Sequence, residues 1–175
     1  SLTLQGKDKE TTIIDGGGSG RVVSIRDWVN ITGFTIRSGS NGIYGGYTPS
    51  NNTISDNIIS NNSGAGIYFS QEGRENTISH NNISNNWGSG IYYGYWIQVN
   101  TISHNIISNN DGYGIYMAYN PSLETISNNT ISYNGQGGIW SQYAIDNTIS
   151  HNTISNNGGH GIYNTYYGSV GFVYN

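Results

Sequence analysis

The sequence predicts an all-β fold, a single-stranded parallel β-helix of about seven coils of 22–24 residues with three short strands per coil. The first observation behind this prediction is a repeat: isoleucines return every 23 or 24 residues, a period typical of solenoid proteins. The second is composition, because Leu and Ala occur at only three positions each. Asn, Ser, Gly, Thr, Ile and Tyr replace them, and these residues favour strands and tight turns. A leucine-rich repeat shares the period but requires the leucines that are missing here.

Three isoleucine columns define the strands of each coil. Within one coil the columns lie 5, 8 and 11 residues apart, which suits three short strands joined by turns and is too short for helices with connections. By strand alternation each isoleucine points into the coil and its two neighbours point outward. The columns are Ile54, Ile78, Ile102, Ile126 and Ile149; Ile59, Ile83, Ile107, Ile131 and Ile154; and Ile43, Ile67, Ile91, Ile115, Ile139 and Ile162.

Asparagine and glycine mark the predicted turns between these strands. Asparagine tolerates the left-handed backbone conformation, and stacked asparagine amides can hydrogen-bond from coil to coil. A third bend is predicted at glycines such as Gly88 and Gly90, where we expect positive φ angles. The two asparagine columns are Asn57, Asn81, Asn105, Asn129 and Asn152, and Asn62, Asn86, Asn110, Asn134 and Asn157.

The repeated string resembles a known family of repeats. NTISHNNISNN at 76–86, followed by GIYY at 90–93, is similar to the repeats of NosD-like periplasmic copper-binding proteins. It is equally similar to related domains of archaeal surface proteins, described as carbohydrate-binding and sugar-hydrolysis domains. SLTLQGKDKETTIIDGGG at 1–18 resembles the first coils of such domains, so the resemblance covers the whole chain. It implies right-handed winding, in agreement with the general crossover rule, in a family that hosts many functions.

Residues 1–175 are predicted to form one β-helix domain that is open at both ends, with partial first and last coils. In the resembling family a further strand usually precedes the segment like SLTLQG, so Ser1 looks like a start inside the domain. At the other end, GFVY at 171–174 falls in the column of the Asn-Thr-Ile-Ser strands, where a coil begins. Unpaired strand edges at the two ends predict self-association, and a head-to-tail contact of this kind generates a filament.

Charge and composition exclude several classes of partner. The net charge is −4 and Arg74 is the last basic residue, so the final 101 positions contain no cation to neutralise phosphates. We therefore expect no nucleic acid partner. No apolar run approaches 18 residues, so we expect no membrane insertion either. Asn-x-Ser/Thr sequons such as the one at Asn82, together with the family resemblance, predict an extracellular or cell-surface location.

No group of residues in the sequence predicts catalysis, and we expect a non-enzyme without a cofactor. The Gly-His-Gly string around His160 also occurs in polygalacturonases, but this slot varies down the repeat and no two carboxylates flank it, as glycoside hydrolysis requires. Glu124 and Asp146 are expected to approach each other on adjacent coils, with no Lys or Arg nearby to abstract a proton.

Two further columns offer alternatives. Imidazoles about 5 Å apart on successive coils could share a metal ion, but no second column of ligands supports a site, and none is predicted. Outward Thr-x-Ser pairs form a flat hydroxyl array on which ice binding is conceivable, although these are ordinary strand residues. The histidine column contains Asp56, His80, His104, Asn128 and His151.

The best candidate binding face is a column of aromatic residues that follows the third isoleucine column. By alternation these side chains point outward about 4.8 Å apart, where they contact a ligand or stack on one another. The column contains Tyr44, Tyr68, Tyr92, Tyr116, Trp140 and Tyr163. The leading expectation is a non-catalytic structural, assembly or adhesion role. The alternatives are a carbohydrate-binding module that uses this column and, third, a polysaccharide-degrading enzyme.

Overall fold

The computed structural model describes residues 1–165, and all of the regular structure in this part of the chain is β-strand. None of it is a helix that would be long and apolar enough to cross a membrane. The strands in chain order are β1 Leu2–Gln5, β2 Ile13–Asp15, β3 Arg21–Ile25, β4 Val29–Thr32, β5 Thr35–Arg37, β6 Asn41–Tyr47, β7 Thr53–Ser55, β8 Ile58–Ser60, β9 Ile67–Gln71, β10 Thr77–Ser79, β11 Asn82–Ser84, β12 Ile91–Tyr95, β13 Thr101–Ser103, β14 Ile106–Ser108, β15 Tyr113–Tyr119, β16 Thr125–Ser127, β17 Thr130–Ser132, β18 Gly137–Gln142, β19 Thr148–Ser150, β20 Thr153–Ser155 and β21 Ile162–Thr165.

Every third strand belongs to the same sheet, so the described chain winds through seven coils with three strands each. Sheet A has the order β1-β4-β7-β10-β13-β16-β19, sheet B runs from β2 to β20, and sheet C runs from β3 to β21. All neighbouring strands are parallel, and Ile78 pairs with Ile54 on one side and with Ile102 on the other. The predicted fold class is confirmed. The predicted last coil at 171–174 lies outside the described residues.

The core is a line of isoleucines along the axis of the coils. From Ile31 to Ile131 the isoleucines of the three columns are completely buried, and Ile154 and Ile162 at the far end pack against them partly buried. Two aromatic rings join the same interior: Phe69 and Tyr93 stack with centroids 5.6 Å apart. Because each coil buries its isoleucines against the next, the stability of the rod arises from contacts between neighbouring coils.

Asparagine ladders close the corners between the sheets. The Asn81 Nδ2 group donates to the carbonyl oxygen of Ile54 (2.9 Å) and to Asn105 Oδ1 (3.1 Å). Its own Oδ1 accepts from the backbone N–H and the side-chain amide of Asn57. The Asn62 column repeats this pattern, and both ladders confirm the predicted stacking. A third ladder, not predicted, lies between sheets C and A and contains Asn52, Asn76, Asn100, Glu124 and Asn147.

The left-handed residues are not where the sequence predicts them. Positive φ falls on the residue before each ladder asparagine, as at His80 (58°) and Asn85 (58°), while Asn81 is in an ordinary conformation. Gly88 and Gly90 are not left-handed either. The physical reason is geometrical: one left-handed residue turns the chain, and the next side chain then points inward, where its amide reaches the coils above and below.

Gly90 is required because there is no room for a side chain at this position. A Cβ atom at this position would lie 2.5 Å from Ile107 Cγ2 and 2.8 Å from the carbonyl oxygen of Gly114 on the next coil. Gly66 and Gly114 meet the equivalent atoms of their own neighbouring coils. The glycine column therefore lets adjacent coils approach closely where sheet C begins.

Candidate functional site

The aromatic column lies on the outer face of sheet C. The register aligns Tyr44 with Tyr68, Tyr68 with Tyr92, Tyr92 with Tyr116, Tyr116 with Trp140, and Trp140 with Tyr163. Five of the six side chains are half-buried, and Tyr163, at the end of the column, is 42% exposed. The structure thus brings all six predicted residues into one line.

The rings of this column cover one another's faces. Tyr116 and Trp140 are parallel with centroids 4.5 Å apart, and Tyr92 stacks on Tyr116 at 4.9 Å. Tyr68 is turned and meets Tyr92 edge to face at 4.8 Å. Burial of the ring, together with the neighbouring tyrosines, raises the pKa of Tyr92 to about 12. From Tyr92 to Trp140 the column is therefore a wall that presents ring edges, because the ring faces there are occupied by neighbouring rings.

A groove runs beside this wall, at the bend where the chain enters sheet C. It consists of two adjoining cavities of about 320 and 500 Å³, which share Gly88, Ser89 and Tyr92. Adjacent coils approach closely here, since a Cβ atom at Gly88 would lie 2.7 Å from the carbonyl carbon of Gly64. The larger cavity is also lined by Trp87, Asp111, Gly112, Tyr113, Tyr116 and Gln136.

Trp87 is the residue of this groove that the sequence analysis missed. Its side chain is 73% exposed, more than any other large apolar side chain in the described residues. The equivalent positions on the other coils are small or polar, for example Ser63 and Asp111. A single tryptophan at a turn position that is small or polar on the other coils is the signal that could have identified Trp87 from the sequence. Unlike the rings of the column, Trp87 has no aromatic neighbour within stacking distance among the described residues, so its indole faces remain available.

A separate cavity, of about 790 Å³, lies beside Tyr44, at the end of the aromatic column that is nearest the first coil. The guanidinium of Arg21 lies 3.3 Å from the centroid of the Tyr44 ring. The cavity is lined by Arg21, Ser24, Ile25, Arg26, Tyr44, Gly46, Tyr47 and Thr48.

The other predicted candidates do not form a catalytic group in the described structure. His160 stacks on Tyr163 at 4.9 Å, so it is part of the aromatic surface. His80 and His104 stack at 4.9 Å with nearly parallel rings. Within residues 1–165, no group of three His, Cys, Asp or Glu side chains is arranged to hold a metal ion.

Glu124 and Asp146 lie on adjacent coils but in neighbouring columns, because Glu124 is aligned with Asn147, the residue after Asp146. Glu124 occupies an asparagine position of the third ladder and is 1% exposed, whereas Asp146 is an exposed left-handed residue one column away. Burial raises the pKa of Glu124 to about 8, although hydrogen bonding from Asn100 opposes the shift. Its Oε1 accepts from the Asn100 amide (3.1 Å), while Oε2 and the nearby Tyr93 hydroxyl have no partner.

These features define the class of protein: a three-sheet parallel β-solenoid with an external aromatic face. The sequence matches the family model described as "Right handed beta helix region" over residues 19–175. The chain therefore belongs to the right-handed β-helix family, which confirms the β-helix repeat family and the handedness that the resemblance implies.

Two further comparisons concern individual proteins. A comparison with curated proteins gives no match. Among solved structures, the chain is similar to the A-module of mannuronan C-5 epimerase AlgE6 from Azotobacter vinelandii, with 15% identity and a TM-score of 0.50. The alignment covers 99% of this chain and 58% of that one, so the chain spans little more than half the length of this carbohydrate-active module. At this identity the likeness shows a shared fold.

Proposed function

We propose that this chain is a non-catalytic extracellular or cell-surface β-solenoid that adheres to polysaccharide through the groove beside its aromatic column. The observation that carries the proposal is the exposed Trp87 side chain, which lines a cavity together with the small residues Gly88, Ser89 and Gly112. Sugar rings pack their apolar faces on aromatic rings, and a concave, partly apolar surface with a few polar groups is the usual form of a ligand site.

The groove offers polar groups for recognition. The Asp111 carboxylate, the Gln136 amide and the Ser89 hydroxyl all line the cavity next to Trp87. These groups accept and donate hydrogen bonds of the kind that sugar hydroxyls form. The stacked wall of Tyr92 and Tyr116 holds this side of the groove rigid, so little conformational entropy is lost when a ligand binds.

A non-catalytic role agrees with the chemistry of the groove. Hydrolysis of a glycosidic bond normally uses two carboxyl groups about 5–10 Å apart, and Asp111 is the single carboxylate among the residues that line these two cavities. Glu124 is enclosed in the third ladder, away from any surface where a sugar could bind.

The experiment that tests the proposal is binding to a panel of soluble and insoluble polysaccharides, with Trp87→Ala as the variant. Trp96→Ala is the matched control, because Trp96 is 51% exposed and does not line the groove. We expect Trp87→Ala to weaken binding by about tenfold or more, since it removes the free aromatic face, and Trp96→Ala to leave it unchanged. Equal affinities of the two variants, or release of reducing ends from the bound polysaccharide, would reject the proposal.

End-to-end assembly is a second candidate function, favoured by the strand edges. Within residues 1–165, β1, β2 and β3 each have a neighbouring strand on one side only. Such edges are templates for pairing with another chain. Light scattering with negative-stain microscopy would show growing fibres if the ends stack, whereas a stable monomer would reject stacking and leave the groove as the functional surface.

A further inference from the structure

We infer that the cavity lined by Arg21 and Arg26 binds a carboxylate-bearing sugar residue, so the polysaccharide that this protein recognises is acidic. The inference rests on the proposed polysaccharide binding and specifies its ligand. The aromatic column ends at β3. There Ser24 pairs with Tyr44 and occupies the position that is an aromatic residue on the following coils. The missing ring leaves the cavity of about 790 Å³.

The two arginines in this cavity are free to bind an anion. Arg37, on another face of the rod, forms an ion pair with Asp15 at 2.9 Å. By contrast, within residues 1–165 neither Arg21 nor Arg26 has a carboxylate within ion-pair distance. The Arg21 guanidinium carbon lies over the Tyr44 ring, 3.3 Å from its centroid, and this cation–π contact uses none of the N–H groups that can donate to an anion.

The cavity is positively charged within a protein of net charge −4. No carboxylate lines it, and the two carboxylates beside it are already engaged. Asp27 Oδ1 accepts from the backbone N–H of Ser50 (3.0 Å), and Glu72 Oε1 accepts from the hydroxyl of Tyr47 (3.1 Å). In the described residues both arginines therefore lack a direct carboxylate partner, and an anionic ligand would supply one.

The geometry favours a sugar carboxylate over a small inorganic ion. A planar guanidinium matches a carboxylate with two parallel hydrogen bonds. Tyr47 also lines the cavity and is 63% exposed, so it offers an aromatic surface to the sugar ring that carries the acid. Moreover, the ring of Tyr44 in this cavity meets the ring of Tyr68, which lines the groove, edge to face at 5.5 Å, so both sites lie along the same aromatic column. One polysaccharide chain could occupy both.

The test is isothermal titration with trigalacturonate at low salt, using Arg21→Gln and Arg26→Gln. Lys7→Gln is the control, because it removes the same charge from the same coil at an exposed position that does not line the cavity. We expect each arginine variant to weaken binding about 10- to 100-fold, as loss of a charge-assisted hydrogen bond does, and Lys7→Gln to change it less than twofold. Arg26→Gln keeps the test valid if Arg21→Gln disturbs Tyr44.

Several results would overturn the inference. It is wrong if both arginine variants bind trigalacturonate as the wild type does, or if the methyl ester of trigalacturonate binds equally tightly. It is also wrong if inorganic sulfate displaces trigalacturonate at equal concentration, because the cavity would then be a general anion site. If Trp87→Ala leaves binding intact and the arginine variants abolish it, the arginine site stands and the groove is rejected. The reverse pattern rejects the arginine site alone.

Discussion

Replacing Glu124 by Gln is expected to make the protein more stable at alkaline pH. The third ladder uses asparagine amides, each of which both donates and accepts, as Asn76 does toward Asn52 and Asn100. Glu124 keeps the acceptor, Oε1, but a carboxylate cannot donate, and Oε2 is buried without a partner. Gln retains the acceptor and brings an N–H₂ group to the unpartnered position.

The magnitude follows from the pKa of Glu124, which burial raises from 4.5 to about 8. Between these values the folded protein holds a proton that the unfolded chain has released, so the free energy of unfolding falls as pH rises through this window. Ionisation of the buried Glu124 therefore lowers the free energy of unfolding by about 5 kcal/mol. This loss is complete above pH 8 and absent below pH 4.5. Because water penetration and relaxation reduce such penalties, we expect a gain of about 3 to 5 kcal/mol for Glu124→Gln at pH 9. At pH 5 the gain is small.

The assay is urea unfolding followed by circular dichroism at pH 5, 7 and 9. The informative quantity is the difference in the free energy of unfolding between the wild type and Glu124→Gln at each pH. Glu75→Gln is the matched control, because Glu75 is exposed and its replacement removes the same charge without relieving burial. The reasoning is refuted if wild type and Glu124→Gln lose stability in parallel from pH 5 to pH 9.

Three further predictions concern the scaffold, all measured by urea midpoints at pH 7. Asn105→Ala removes hydrogen bonds to Ile78, Asn129 and Asn81 in the asparagine ladder between sheets A and B and should cost about 3–5 kcal/mol, since several buried groups lose their partners. Asn82→Ala should cost little, because the Asn82 Oδ1 is buried without a partner, and a large loss there would contradict the ladder argument. Gly90→Ala should cost about 2 kcal/mol or more through its contact with Ile107 and Gly114, whereas Gly46→Ala, whose Cβ would have its nearest neighbour at 3.4 Å, should be nearly neutral; equal effects would exclude the steric explanation. Val99→Asn should stabilise by about 1 kcal/mol, because Val99 is an exposed β-branched residue at φ 56°, and a loss of stability would show that its side chain packs usefully.

The repeat made the core predictable. Ile54, Ile78 and Ile102 recur at a constant spacing, and a column of identical apolar residues in a solenoid has one way to bury itself, against its copies above and below. The stacking of Tyr92 on Tyr116 followed from the same register. Two of the three ladders were predictable for the same reason, because asparagine is repeated in them without interruption.

The candidate sites were not predictable, because they occur where the repeat is broken. Trp87 and Ser24 each depart from their columns, and the sequence does not show whether such a departure fills a space or opens one. The groove and the cavity became visible only when neighbouring coils were in place. The burial of Glu124 was not predictable either, since it depends on the inward turn that the left-handed Leu123 imposes.

By itself, then, the sequence determined the period, the strands, the inward columns and the alignment of the aromatic rings, all of which depend on spacing along the chain. The tertiary structure decided which residues are left-handed, that Gly90 provides space rather than flexibility, and that Arg21 and Arg26 line a cavity that no carboxylate lines. The physical reason is that spacing is a property of one chain segment, whereas burial, unoccupied volume and local charge arise between coils that lie about 24 residues apart in sequence and about 4.8 Å apart in space.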